Sequence, residues 1–306
     1  MNSGKKIIMG IRYYWQILLF LVLLAVLFAQ VNFRPERLGV YLIQTAALFP
    51  AVLGGAVIFL SGSIDLSIGG FIALETSLFG LILQSGVPLS LTIGLFVLSV
   101  IALGWLKAWL VTSIRVDYEV LTLIMQFLLI PIGSLIYVYT TGLSNREHSL
   151  AVFGPLILLG MILAGIFVWI FLNRTTWGKS LFILGRIRQI SAGSGMDEVR
   201  LKKTAVLAGI LLAGMTAFNM MVRTGVPTFL DGNSISFQIL AAISLIGNQS
   251  LTGVNTIHRS FIASSVIVMI TAILQGSRLS TYAILTIYGV MILFSFWIRS
   301  LERRKN

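Results

Sequence analysis

The sequence contains no cysteine, only two histidines (His148 and His258), and charge on just 10% of its 306 residues. Without cysteine there is no disulfide framework, no thiolate nucleophile and no Cys-based zinc site. Two histidines far apart in the sequence leave little scope for imidazole chemistry. Acidic side chains are scarce as well: 10 Asp and Glu stand against 22 Lys and Arg, a formal net charge of +12. A soluble domain carries about 25% charged and roughly 45–50% apolar residues. Here 57% are apolar and the mean hydropathy is +0.97, which excludes an ordinary soluble globule. The chain reads as a membrane protein.

Several motifs are missing too. No GxxxxGK[ST] phosphate loop occurs, so ATP is not bound by that route. There is no HExxH, no GxSxG and no carboxylate pair in a polar pocket. An intramembrane enzyme needs a nucleophile beside a base, or metal ligands. The sequence offers no candidate catalytic residue, no metal site and no cofactor site of its own.

The basic residues fall in three blocks: Lys5, Lys6 and Arg12; Arg174 through Lys203; and Arg299 through Lys305. Long apolar stretches separate them. Retention of Lys and Arg on the cytoplasmic side produces this pattern. Nucleic-acid binding needs a basic face with interleaved aromatics on a soluble module, and none is present. The partner these charges imply is a lipid bilayer, not nucleic acid.

A bilayer core about 30 Å thick takes about 20 apolar residues in a helix. Such runs are expected at Tyr13–Val31, Leu38–Leu60, Ile68–Gln84, Leu89–Thr112, Val120–Thr140, Val152–Leu172, Thr204–Val222, Ile257–Leu274 and Leu279–Ile298. The first also reads as a cleaved signal peptide, but its length and the spans behind it favour a retained helix. Gln238–Ile246 is too short to cross alone; extended back through Ile235 it makes a further, broken helix. The expected fold is an all-α integral membrane protein of about ten transmembrane helices, with both termini and the hydrophilic stretch Asn173–Lys203 cytoplasmic. Nine is the alternative, and it would place the basic C-terminal tail outside. One integral domain, residues 1–306, is the simplest organisation. Ala205, Gly209, Ala213 and Ala217 form a row of small residues at four-residue spacing, a packing surface within the subunit or toward another.

Polar residues at membrane depth are the functional candidates, because ionisable groups in lipid are costly. Asp65 stands out in Ser61-Gly62-Ser63-Ile64-Asp65-Leu66-Ser67-Ile68-Gly69-Gly70. Asp65 with Ser67 can cap the next helix; alternatively Gly62, Asp65, Ser67 and Gly69 belong to a broken helix whose backbone lines a solute path. On the capping reading, Asp65→Asn should be milder than Asp65→Leu; equal and complete loss in both points to a required charge. Glu75, in the same apolar span, either faces a wet cavity or a partner, or is simply buried against Thr or Ser. Gln44 and Gln126 read as helix–helix hydrogen bonds. Asp117 and Glu119 sit near Lys107 and Arg115 at an expected interface where solvation suffices. His258, beside Arg259, reads as solvated rather than as a metal ligand.

Four segments together resemble permease subunits of bacterial ABC importers of the ribose/galactose/autoinducer-2 (carbohydrate uptake) family. Ser61–Gly70 is similar to the family's "TGGIDLSVG". Thr176-Trp177-Gly178-Lys179 is similar to its "T-x-F-G-R". Gly185 and Ser194-Gly195-Met196 fall at the spacing of its "A-I-G-x-N-x-x-A-A-x-x-S-G-I" coupling segment. Ile246-Gly247-Asn248-Gln249-Ser250-Leu251-Thr252-Gly253 resembles "I-G-G-T-S-L-x-G-G". Each is weak alone, but their shared order and spacing extend the resemblance over nearly the whole chain. Departures mark a divergent member: Ser63 and Asn248 for Gly, Val254 for the last Gly, Ile187 and Arg188 in the coupling segment, Ile190 and Ser191 for paired alanines, and Asp117-Tyr118-Glu119 for "P-P-F".

The resemblance implies a permease that binds no nucleotide itself. Its partners would be cytoplasmic ABC ATPase subunits, a second permease (an identical copy or a different one) and a periplasmic or lipid-anchored solute-binding protein. Gly178, Gly185, Arg188, Ser194 and Gly195 would form the ATPase-coupling loop, with ATP bound by the partner subunits. The solute expected is small and neutral, a monosaccharide first; a nucleoside, autoinducer-2 or a vitamin is the alternative within the class. An ion-coupled secondary transporter, with Asp65 and Glu75 on its path, is the competing class. A membrane scaffold or assembly factor that transports nothing is a third.

Overall fold

A computed structural model describes residues 17–26, 36–141, 154–186, 197–224, 232–246, 253–277 and 279–303, and no strand occurs among them. Eleven helices make up the described fold. They are α1 (Ile17–Val26), α2 (Glu36–Leu60), α3 (Ile68–Gln84), α4 (Leu89–Ser113), α5 (Tyr118–Thr141) and α6 (Gly154–Arg174). The remainder are α7 (Thr176–Arg186), α8 (Glu198–Thr224), α9 (Gly232–Ile246), α10 (Gly253–Gly276) and α11 (Thr281–Arg303). Six of them, α2, α4, α5, α6, α8 and α10, are long and apolar enough to cross a membrane. Shorter apolar helical stretches lie at Ile17–Val26, Ile68–Gln84, Asn233–Ile246 and Thr281–Ser295.

Composition sorts the helices into centre and periphery. The apolar windows of α2 and α8 are 83% and 78% buried, against 22% for α4 and 28% for α5 and α6. A helix apolar all round is stable only when wrapped by other helices or by lipid, and both situations occur here. Large side chains such as Leu98, Trp105 and Phe127 point outward from α4 and α5.

Small residues let the two central helices meet backbone to backbone. A Cβ built on Gly54 would lie 2.7 Å from the Gly209 carbonyl oxygen, and one on Gly209 would lie 2.4 Å from Ile58 Cδ1. Without a hydrophobic drive between helices in lipid, such close approach is a main source of packing energy. Ala205, Gly209, Ala213 and Ala217 are all buried against elements of this same chain, so the small-residue row serves packing within the subunit.

Pro50 interrupts the amide ladder of α2. Its ring lacks an N–H and crowds the preceding turn. The next amide, Ala51 N–H, donates to Thr216 Oγ1 of α8 at 2.9 Å. The helix stays continuous because its neighbour supplies the acceptor, the usual repair for proline in membrane helices.

The hydrophilic stretch Asn173–Lys203 is more helical than its composition suggests. Thr175 caps α7, accepting the Gly178 N–H at 3.1 Å, and α7 folds back with Leu181 and Leu184 buried. Asp197 caps α8 by accepting the Arg200 N–H at 3.0 Å. The basic Arg200, Lys202 and Lys203 are therefore the opening turns of a long helix, with Lys202 paired to Glu198 at 2.8 Å.

Candidate functional site

α2 stops where Gly62 takes φ 84°. Its N–H turns back to Phe59 O at 3.0 Å and that of Ser61 to Ile58 O at 2.9 Å. The left-handed conformation suits glycine and ends helices cleanly. Residues 61–67 then run without helical hydrogen bonding until α3 begins at Ile68. The break lies at one end of the bundle, beside the last turns of α4 and the first turn of α5.

Asp65 organises this break. Its Oδ1 accepts the Ser67 N–H at 2.9 Å and the Ser67 hydroxyl at 2.8 Å. Its Oδ2 accepts the ammonium of Lys107 at 2.5 Å and the hydroxyl of Tyr118 at 3.1 Å. Lys107 also donates to Ser67 Oγ at 2.7 Å and lies 4.5 Å from the centroid of the Phe71 ring. The side chains of both ion-pair partners are 0% exposed. Removing two charges from water costs several kcal/mol per ion, on the order of magnitude estimated for protein interiors, unless hydrogen bonds complete the pair. Ser67, Tyr118 and the Phe71 face provide that completion.

The break is pinned to α5 as well. Leu66 N–H donates to Thr122 Oγ1 at 3.3 Å and Gly70 N–H to Gln126 Oε1 at 2.8 Å. Gln126 Nε2 continues to Ser236 Oγ of α9 at 2.5 Å. A Cβ on Gly70 would lie 2.9 Å from Gln126 Oε1 and 3.3 Å from Gln126 Cα and Leu129 Cβ, so α3 and α5 approach closely here. A cavity of about 200 Å³ lies alongside, lined by Phe59, Ile64, Leu66, Glu119 and Ser244 among others. A larger groove of about 710 Å³ opens on the flank formed by Phe49, Met161, Trp169 and Phe261, lined by none of the ion-pair residues.

Several expectations change. Asp65 and Ser67 do not cap α3: Ser67 occupies the N-cap position without a side-chain cap bond, and Gln126 takes an amide of the first turn instead. Asp117 and Glu119 are exposed as expected, but Lys107, named only as their neighbour, is sealed inside the bundle. Arg259 is buried too, donating to Ile246 O at 3.3 Å, whereas His258 is exposed. Gln126 makes the helix–helix bond expected of it. Gly69 is buried in the first turn of α3. Glu75 is 0% exposed, and neither carboxyl oxygen has a hydrogen-bond partner among the described residues.

Of the coupling-loop candidates, Gly178 lies in the first turn of α7. A Cβ there would sit 2.2 Å from Phe171 O and 2.5 Å from Leu172 Cα, so this glycine permits the fold-back of α7 onto α6. Gly185 is the penultimate residue of α7. Arg188, Ser194 and Gly195 lie outside the described residues, as does most of Ile246–Gly253. The sequence reading missed Lys107 and Tyr118. A readable signal existed for the first: Lys107 is the one charge in the apolar run Leu89–Ser113, with Asp65 at the neighbouring break.

Six helices long and apolar enough to cross a bilayer, packed around a polar, ion-paired helix break, make this a polytopic membrane protein. The chain belongs to the family described as "Branched-chain amino acid transport system / permease component", which matches residues 37–296. It is 28% identical over 210 residues to the autoinducer 2 import system permease protein LsrD of Escherichia coli (strain SMS-3-5 / SECEC), covering 63% of each chain. It is 27% identical over 268 residues to the ribose import permease protein RbsC of Bacillus subtilis (strain 168), covering 83% of this chain and 80% of that one. The match thus spans a little under two thirds of the autoinducer 2 relative. No solved structure matches the chain. It is a permease-family, multi-pass protein of the bacterial cell membrane.

Proposed function

We propose that the chain is the permease subunit of an ATP-driven importer and forms the path for a small neutral solute, a monosaccharide or a molecule of that kind such as autoinducer-2. The observation that carries this reading is the match of the permease family across residues 37–296, joined to a helix break that α4, α5 and α9 hold together. The two named relatives, import permeases for ribose and autoinducer 2, support the solute class. The whole chain, 1–306, acts as one permease domain of ten spans with both termini cytoplasmic. On that topology the Asp65–Lys107 pair lies toward the cytoplasmic end of the path. Nine spans would put the basic tail outside, against the positive-inside pattern.

Work comes from partners. Cytoplasmic ATP-binding subunits seat on residues 173–203, where Gly178 sets the return of α7 and Gly185, Arg188, Ser194 and Gly195 frame the docking segment. The chain itself holds no cofactor and performs no catalysis. A second permease, identical or different, completes the path, and a solute-binding protein delivers to it from outside. Nucleotide binding then shifts the permease pair between inward- and outward-open states through its different affinity for each.

Purification of the tagged chain from its own membranes, with mass spectrometry of what is retained, tests the assembly. An ATP-binding subunit is the expected companion; a chain recovered alone under conditions that preserve such complexes would sink the reading. Gly195→Glu should abolish ATP-dependent uptake of labelled ribose or autoinducer-2 without preventing insertion, because a large charged side chain blocks seating.

Three buried ionisable groups, Asp65, Lys107 and Glu75, keep an ion-coupled carrier as the second reading. Asp65 and Lys107 neutralise one another, however, and a relay needs several groups along a path. Uptake driven by a proton or sodium gradient in vesicles without any ATPase is the result that would favour it.

A further inference from the structure

The break at residues 61–67 is held by side chains of α4 and α5. In this structure Lys107 is bound to Asp65 and Ser67, while Glu75 has no partner for either oxygen among the described residues and no exposure. A buried carboxyl without a hydrogen bond is costly. Such a group calls for an explanation.

The geometry supplies that explanation. Phe71, Glu75 and Phe79 follow one another at four-residue spacing on one face of α3, where side chains at i and i+4 stack. Phe71 carries the Lys107 ammonium over its ring at 4.5 Å. Phe79 packs edge-on against Phe96 of α4 and Phe218 of α8, with ring centroids 5.0 and 5.8 Å apart. Glu75 therefore sits between them in the α3–α4–α8 seam, one turn above the ammonium. A helical turn advances about 5.4 Å, and helical side chains tilt toward the N-terminus, so Glu75 stands one turn from Phe71, over whose ring the Lys107 ammonium lies. Lysine has a flexible four-carbon stem and a compact charge, and an aromatic face between two carboxylates stabilises a passing cation.

We propose that Lys107 is a two-position latch: paired with Asp65 it holds the 61–67 break against α4, and moved across the Phe71 face to Glu75 it releases the break. The permease role of the latch rests on the importer reading; the exchange of partners does not. Asp65 and Glu75 are alternative acceptors for one ammonium, and Lys107 is a positioning residue for the path.

Melting of the purified full chain in detergent, as a double-mutant cycle, tests the exchange. Glu75→Gln alone should leave the melting temperature unchanged or raise it, since it removes an unpartnered carboxyl. In the Asp65→Asn background, where Lys107 has moved to Glu75, the same change should lower it by about 3 °C or more, the scale expected for ~1 kcal/mol in a chain of this size. Equal effects in both backgrounds overturn the proposal. Should Asp65→Asn not survive purification, a disulfide reporter decides. The chain has no native cysteine, and Leu66→Cys with Thr122→Cys brackets the closed break. Adding Glu75→Gln should raise cross-linking in membranes because the competing acceptor is gone, and an unchanged yield overturns the latch. A chain that shows the exchange yet never associates with an ATPase refutes the importer reading and leaves the latch intact.

Discussion

Lys107 of α4 and Asp65 of the α2–α3 break meet at 2.5 Å with both side chains sealed from solvent. A helix break in lipid is tolerable only where protein satisfies its backbone and side chains. Here one ammonium and one carboxylate, joined by Ser67 and Tyr118, do so and also fix how α4 lies against the break.

Breaking this pair from one side is expected to be severe. Lys107→Met leaves the Asp65 carboxylate buried without its counter-charge, a loss of roughly 3–5 kcal/mol, and Asp65→Asn and Asp65→Leu each take from Lys107 the partner that holds it at the break. Asp65→Asn should therefore be nearly as harmful as Asp65→Leu, the opposite of the capping expectation. The double variant Lys107→Met/Asp65→Leu should recover much of the stability, because it leaves no orphaned charge. Thermal unfolding in detergent measures all four, and an Asp65→Asn clearly milder than Asp65→Leu would contradict the ion-pair assignment.

The sequence made the helices legible and left the partnerships hidden. Ile68–Gln84 is placed to the residue, and Leu38–Leu60 and Leu89–Thr112 differ from α2 and α4 by two residues or fewer at either end, because lipid imposes a length and an apolar composition that can be read directly. Asp65 was readable as a candidate because a carboxylate beside glycines in an apolar run is rare. That Lys107, 42 positions along, neutralises it was not, since pairing depends on how α4 rotates against α3. Capping was the wrong role for the same reason: the acceptor for Gly70 N–H comes from Gln126, 56 residues away. α7 was hidden because it is an 11-residue amphipathic helix, too short to read as a span, interrupted by Lys179 and closed by Arg186.

At the crossing of α2 and α8, backbone approaches backbone. Gly54→Ala puts a Cβ 2.7 Å from the Gly209 carbonyl oxygen, a contact that only separation of the helices relieves. Overpacking of this kind costs about 1–3 kcal/mol. Gly54→Val should be worse, while Gly39→Ala, with nothing within 4 Å of the added carbon, should be silent. Melting temperatures of the three variants check the ranking.

Gly178→Ala should act differently, since its added carbon meets the backbone of Phe171 and Leu172. Leu181 and Leu184 of α7 pack in the central core, so the displaced turn should lower the melting temperature, at a cost on the scale of other overpacked sites, about 1–3 kcal/mol, with insertion retained. What should also fall is recovery of the ATP-binding subunit on co-purification, because α7 leads into the docking segment. Undiminished recovery would separate α7 from coupling.

Thr216 tests how α2 tolerates a proline. Its hydroxyl accepts the Ala51 N–H directly after Pro50, in a region where both helices are buried. Thr216→Val keeps the shape of the side chain and removes only the acceptor, leaving a buried amide unsatisfied at a cost of about 1–3 kcal/mol. Thr216→Ser keeps the oxygen and should stay within a few tenths of a kcal/mol of the parent after allowing for the lost methyl, a loss of less than about 1 kcal/mol. Pro50→Ala in the Thr216→Val background restores the regular ladder of α2, since the added amide ends the crowding that displaced the preceding turn. Stability should then return toward the parent, and the loss from Thr216→Val should be smaller when Pro50 is already absent. Equal losses with and without Pro50 would show that Thr216 serves packing alone.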